Sequence, residues 1–187
     1  MQKIAHARTW IVAALALTFS PLLIATTGCA PTATYPPVEG SYGLNTPTYE
    51  PVPTIMADAI RYVHLHHGSN HPLAFNLPAG TSAKTYDRVI KRLGAGKPQT
   101  AGDEWACYIQ QVRSRGLNAE ADVIFAQDNA PPAFLTLYLR KQLNNYSVQH
   151  VKRWQLPAEL PGPNWRPDLD TQQQEKAEDQ NAIAQVD

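Results

Sequence analysis

From residue 105 to residue 155 the chain tends to alternate apolar and polar side chains. Leu117, Ala119, Ala121, Val123 and Phe125 alternate against Glu120 and Asp122, the two-residue period of a strand buried on one face. Ala133, Leu135, Leu137 and Leu139 repeat it. The pattern predicts four strands, over residues 105–115, 117–127, 133–141 and 146–155. Gly116-Leu117 suits a type II′ turn and Asn144-Asn145 a type I′ turn, while DNAPP (128–132) makes a looser link. Links this short imply antiparallel strands in sequential order, a meander.

Upstream the period becomes helical. TIMADAIRYVHLHH (54–67) places Met56, Ile60, Val63 and His67 on one side, with Thr54 to cap the helix and Gly68 to end it. A short extended piece covers residues 71–78. Gly80-Thr81-Ser82 opens a second helix in which Tyr86, Val89, Ile90 and Leu93 face inward. Lys91 and Arg92 meet the negative end of its dipole, and Gly94 stops it. The fold class is therefore α+β: two N-terminal helices packed on one face of a four-stranded antiparallel meander. That layout resembles the cystatin-like and NTF2-like folds, and the resemblance implies a curved sheet wrapped on a helix with room for a pocket.

Residues 1–28 have the parts of a secretory signal. Lys3, His6 and Arg8 make a basic start, and WIVAALALTFSPLLIA (10–25) follows. That run falls short of the ~20 apolar residues of a membrane-spanning helix, and Pro21 breaks it. A cut after Ala30 would precede Pro31, whose ring hinders attack on that bond. Thr27-Gly28-Cys29 instead resembles the end of a bacterial lipobox, with Thr26 where the pattern prefers Leu. The resemblance implies a diacylglycerol thioether on Cys29, cleavage before it, and three acyl chains in all. Multiple chains anchor a protein stably, at ~0.8 kcal/mol per buried methylene. It also implies sorting to the periplasmic face of the outer membrane, since Ala30 is not the aspartate that commonly retains lipoproteins on the inner one.

Two flanking segments lack any hydrophobic period. Residues 29–53 follow the lipidated Cys29 with a proline-rich tether, six prolines among residues 30–53, whose reach as polyproline II is at most roughly 70 Å. Residues 156–187 carry four prolines near their start and then a Gln- and acid-rich run, too poor in apolar surface to offset ordering entropy, so a disordered tail is expected. Residues 54–155, the domain, carry 12 basic and 7 acidic side chains, net +5, whereas the tail carries 2 and 7, net −5. The neutral total thus hides a mildly basic body and an acidic tail. No basic stripe interleaved with aromatics occurs, so nucleic acid is not an expected partner.

Candidate chemistry is sparse. HLHHGSNH (64–71) gathers four histidines, and His64, His67 and His71 are candidate ligands for zinc, copper or nickel. No Cys or carboxylate lies near them in sequence to complete a zinc set, and the spacing is not HExxH. LGAGKP (93–98) follows a helix and lacks the Ser or Thr after Lys97, so it is no phosphate loop, and no cofactor is expected. Arg113, Arg115, Arg140 and Lys152 form a candidate binding patch on an outward sheet face, suited to an anionic envelope polymer or an acidic envelope protein. With Cys29 consumed, Cys107 has no partner and reads as a small buried hydrophobe. His150 stands on a strand with no motif supplying a nucleophile, so no catalytic residues are assigned. The expected function is a lipid-anchored envelope protein with a small non-catalytic binding or scaffolding domain. The alternative is a carrier of a small ligand or metal, using a sheet pocket or the His64–His71 cluster.

Overall fold

The computed structural model describes residues 32–44 and 46–166. The signal segment, Cys29 and the tail from Pro167 onward lie outside the described residues. In chain order the elements are β1 (Ala33–Tyr35), β2 (Tyr42–Gly43), α1 (Val52–His67), β3 (Ala74–Asn76), α2 (Ala83–Leu93), β4 (Lys97–Pro98), β5 (Cys107–Arg115), β6 (Asn118–Gln127), β7 (Ala130–Gln142) and β8 (Asn145–Trp154). The fold is mixed α+β, with two helices among the described residues and a mostly antiparallel sheet.

Among the described residues the sheet has eight strands, where four were expected. β5 to β8 are the meander, each antiparallel to the next. The edge of β5 that faces away from β6 is shared. β1 runs antiparallel along Val112–Ser114, and β3 runs parallel along Cys107–Tyr108. β2 adds to β1 and β4 to β3, both in parallel. These extra strands are two or three residues long, too short to show a period in sequence.

α1 fills the space under the sheet. Ile55, Met56, Ile60 and Val63 are fully buried against an inner face formed by Ile109, Val112, Ala121, Val123, Phe125, Leu135 and Leu137. Burying each such side chain contributes ~1.5–3 kcal/mol, so this contact dominates the domain's stability. The helix starts at Val52, two residues before the expected cap. Its N-cap is Pro51, and Thr54 instead donates a hydrogen bond to the Glu50 carboxylate. Asp58, buried on this helix, pairs with Arg61 and accepts the Tyr146 N–H at 2.7 Å, tying α1 to the start of β8. Gly68 ends α1 where the Trp105 indole closes over it, and a Cβ there would meet the ring at 2.3 Å.

Three local expectations are corrected. The β7–β8 turn is Leu143-Asn144, one residue before Asn144-Asn145, because Gln142 pairs with Asn145; Leu143 takes φ +48°. β7 begins at Ala130, so the link from β6 is tighter than DNAPP implied. Residues 30–53 are not a free tether over their described part: Tyr35 is buried with its hydroxyl 2.8 Å from Thr81 Oγ1, Thr48 meets Thr85 at 3.0 Å, and Glu50 pairs with Arg92. A few anchors separated by prolines suffice to order it, although they have no period.

The start of the tail differs from expectation in the same way. Residues 155–166 carry the chain from β8 across the sheet to β3 and α2. Asn76 Nδ2 donates to Gly162 O at 3.1 Å, Asn164 Nδ2 donates to Leu77 O at 2.8 Å, and Tyr86 Oη donates to Asn164 Oδ1 at 2.8 Å. Polar clasps rather than apolar burial order this strap. The Tyr86 hydroxyl also accepts the Leu77 N–H at 2.9 Å, and burial pushes its pKa up to about 12. Asn164→Ala leaves Tyr86 and Leu77 without these partners and is expected to lower unfolding stability by about 1–3 kcal/mol, read as a shifted denaturant midpoint.

Candidate functional site

The helix-facing side of the sheet is closed by its own side chains, so the sheet pocket implied by the carrier reading does not form there. Two hollows open at the surface of the domain. One of about 240 Å³ lies beside Thr32 and Arg115, and one of about 170 Å³ lies beside Glu50 and Leu143. Both are below the ~300–1,000 Å³ of ordinary ligand pockets. The outer face of the sheet carries exposed polar side chains.

Strand register sorts that face into rows, because directly paired residues share a side. Tyr108, Ile124, Phe134 and Trp154 form one row, with the Phe134 and Trp154 rings stacked at 6.1 Å. The next is Gln111, Asp122, Thr136 and Lys152, followed by Arg113, Glu120, Tyr138 and His150. Arg115, Asn118, Arg140 and Ser147 complete the end nearest the β5–β6 and β7–β8 turns. Asn76 pairs with Tyr108, so its side chain lies on this face too, and the strap it clasps crosses from Trp154 along the first row.

The four residues of the predicted patch share the outer face, but in different states. Arg113 is consumed internally. Its guanidinium donates to both Asp122 oxygens at 2.6 and 2.9 Å, to Glu120 at 2.8 Å and to Gln111 at 2.6 Å. Thr136 Oγ1 donates to Asp122 at 2.6 Å and accepts the Trp154 indole N–H at 3.0 Å. The bond to Asp122, more than the other causes, raises the Arg113 pKa above its ordinary value. Lys152 Nζ sits 3.5 Å over the Trp154 ring. Arg115 and Arg140 are exposed and have no ion-pair partner among the described residues. Glu120, Asp122, Thr136 and Trp154 were not among the patch residues expected from sequence. Period-2 alternation puts Glu120 and Asp122 on one face, but only the register shows that this face is the one carrying Arg113.

The histidine cluster does not converge. His64 Nε2 lies 2.9 Å from His71 O, while His71 Nε2 lies 3.0 Å from the Asp128 carboxylate. The His67 ring stacks on Phe125 at 4.6 Å, and His66 Nδ1 meets Tyr62 O at 2.8 Å. Among the described residues no three His, Cys, Asp or Glu side chains are grouped to hold a metal ion, so His64, His67 and His71 do not form the predicted ligand set. Cys107 is fully buried in β5, and burial pushes its thiol pKa well up.

No family model matches the chain, no curated protein matches it, and no solved structure matches its fold.

Two tests address this geometry. Arg113→Ala leaves Asp122 and Glu120 facing each other without a cation, and is expected to cost about 1–3 kcal/mol of unfolding stability; Arg113→Lys should restore only part, because one ammonium cannot make the forked contact. For His67, desolvation against Phe125, followed by the nearby His66 and Arg153, lowers the pKa. The unfolded chain therefore binds this proton more readily, so its effect on stability is absent above the unfolded pKa of about 6.5 and becomes a loss as pH falls below it. His67→Gln is expected to flatten that part of the stability–pH curve, measured by thermal unfolding between neutral and mildly acidic buffers.

Proposed function

We propose that this chain is a lipid-anchored protein of the bacterial cell envelope, carried on Cys29, whose α+β domain is a non-catalytic binding or scaffolding module. The layout, one long helix under a meander, is read as cystatin-like or NTF2-like with short strands added at the β5 edge. The observation that carries the binding reading is the contrast between the two sheet faces. The inner face is filled by α1, whereas the outer face holds a fixed polar lattice around Arg113 with exposed Arg115, Arg140, His150 and Lys152 about it. A lattice cross-linked by charge-assisted bonds presents its neighbours in a set geometry, which lowers the ordering cost of recognition. The uncompensated charge favours an acidic envelope protein or an anionic polymer.

The anchor is tested on the full chain expressed in a diderm bacterium. Intact mass of the membrane fraction is expected to begin at Cys29 and to include its acyl chains, and Cys29→Ser should release the protein from the membrane. A chain retaining residues 1–28, or one starting at an unmodified Cys29, overturns the reading. For the binding face, a photo-crosslinking residue replacing His150 is expected to trap an envelope component that the same residue at Lys91, on α2, does not.

A further inference from the structure

The two ends of the sheet differ, and the chain enters at one of them. β1 starts at Ala33, opposite Ser114, so Thr32 lies beside Arg115 at the end that also holds the Gly116-Leu117 and Leu143-Asn144 turns. From Cys29 to Ala33 is four residue steps, at most about 14 Å when fully extended. On the anchored reading, the domain hangs on a far shorter leash than a free proline-rich tether would give.

That end has the chemistry of a membrane contact. Leu143 is 95% exposed at a turn tip with φ +48°, a conformation that favours Gly or Asn. Leu117 is 59% exposed at the neighbouring tip, and Tyr42, level with Ala33, is 68% exposed. The two turns are joined by the Lys141 N–H to Leu117 O bond at 2.8 Å, so the leucines project from one platform. Around them stand Arg115, Arg140 and Lys141, all exposed and none ion-paired among the described residues. Glu50 borders the Leu143 side but is engaged by Arg92 and Thr54. Apolar tips, an interfacial tyrosine and a cationic collar are the components of a surface that dips into anionic headgroups.

We propose that this end of the sheet is the membrane-facing surface of the domain. Leu117 and Leu143 enter the headgroup layer of an anionic phospholipid membrane, while Arg115, Arg140 and Lys141 meet its phosphates. The proposal rests on the anchored reading for the leash and on the exposed side chains independently of it. Cations near an anionic surface are drawn to it together, so these three hold the domain down against free rotation about its leash.

The test uses the full chain from native membranes, reconstituted into phosphatidylethanolamine–phosphatidylglycerol vesicles. An environment-sensitive fluorescent amino acid replaces Leu143 or, at the opposite end of the sheet, Asn129. Quenching by spin-labelled lipids is expected at 143 and not at 129. It should fall to the level of 129 in an Arg115→Glu/Arg140→Glu/Lys141→Glu variant, whose unfolding midpoint checks that the fold persists; Lys141→Glu alone, with a partial fall, serves if the triple variant does not fold. Equal quenching at the two positions, none at either, or quenching untouched by charge reversal overturns the proposal. Protection at 143 without lipid quenching, seen only in whole envelopes, overturns it in favour of a protein or polymer contact. Intact mass of the same samples reads Cys29 separately. If Cys29 is bare, the anchor reading fails, and the quenching pattern still decides the sheet end.

Discussion

The expulsion of water from between α1 and the inner face of the sheet is the contact on which the rest of this domain depends. The first two and a half turns of α1, from Val52 to Ile60, are buried all round, so this part of the helix behaves as a core element rather than a surface one. A helix enclosed in this way must be covered on every side. The meander covers one side and α2 another, and the chain before α1 closes over its start through Tyr35, Thr48 and Glu50. Asp58, a polar group carried into this interior, is satisfied by taking the Tyr146 amide and the Arg61 guanidinium together.

The meander was legible because a half-buried strand repeats every two residues, and three of its four strands continue for ten residues or more. α2 was legible for similar reasons: a Ser82 cap, an apolar stripe and a left-handed Gly94. β1 to β4 have at most three residues each and depend on partners distant in sequence, which no local pattern encodes. The strap is a different failure. Asn76, Tyr86 and Asn164 order it through hydrogen bonds between residues 78 to 87 positions apart, while its composition is that of a disordered segment. The turn between β7 and β8 was misplaced by one residue because the register of two long strands outweighed the preference of Asn-Asn for a tight turn.

The candidate sites show the same division. Closeness in sequence grouped His64, His67 and His71 as candidate ligands, but the His64 and His71 ring nitrogens are taken by a backbone carbonyl and by Asp128, which no sequence spacing reveals. The basic residues were placed on the correct kind of face by alternation, yet their chemistry is set by what stands opposite. Arg113 meets two carboxylates and becomes structural, whereas Arg115 and Arg140 face Asn118 from either side and keep their charge for solvent or a partner. Identical side chains two positions apart thus acquire unlike roles from cross-strand neighbours.

β8 closes one margin of the sheet with ten residues and, among the described residues, only one neighbouring strand. A long bare margin invites edge-to-edge pairing with another copy. Here the register slips between Tyr138 and Leu139, and Gln149, His150, Lys152 and Arg153 are exposed along that border. The irregularity and the repeated cations disfavour lateral fusion of one copy with the next. Many copies crowded into a two-dimensional layer would therefore stay separate molecules rather than zip into a continuous ribbon.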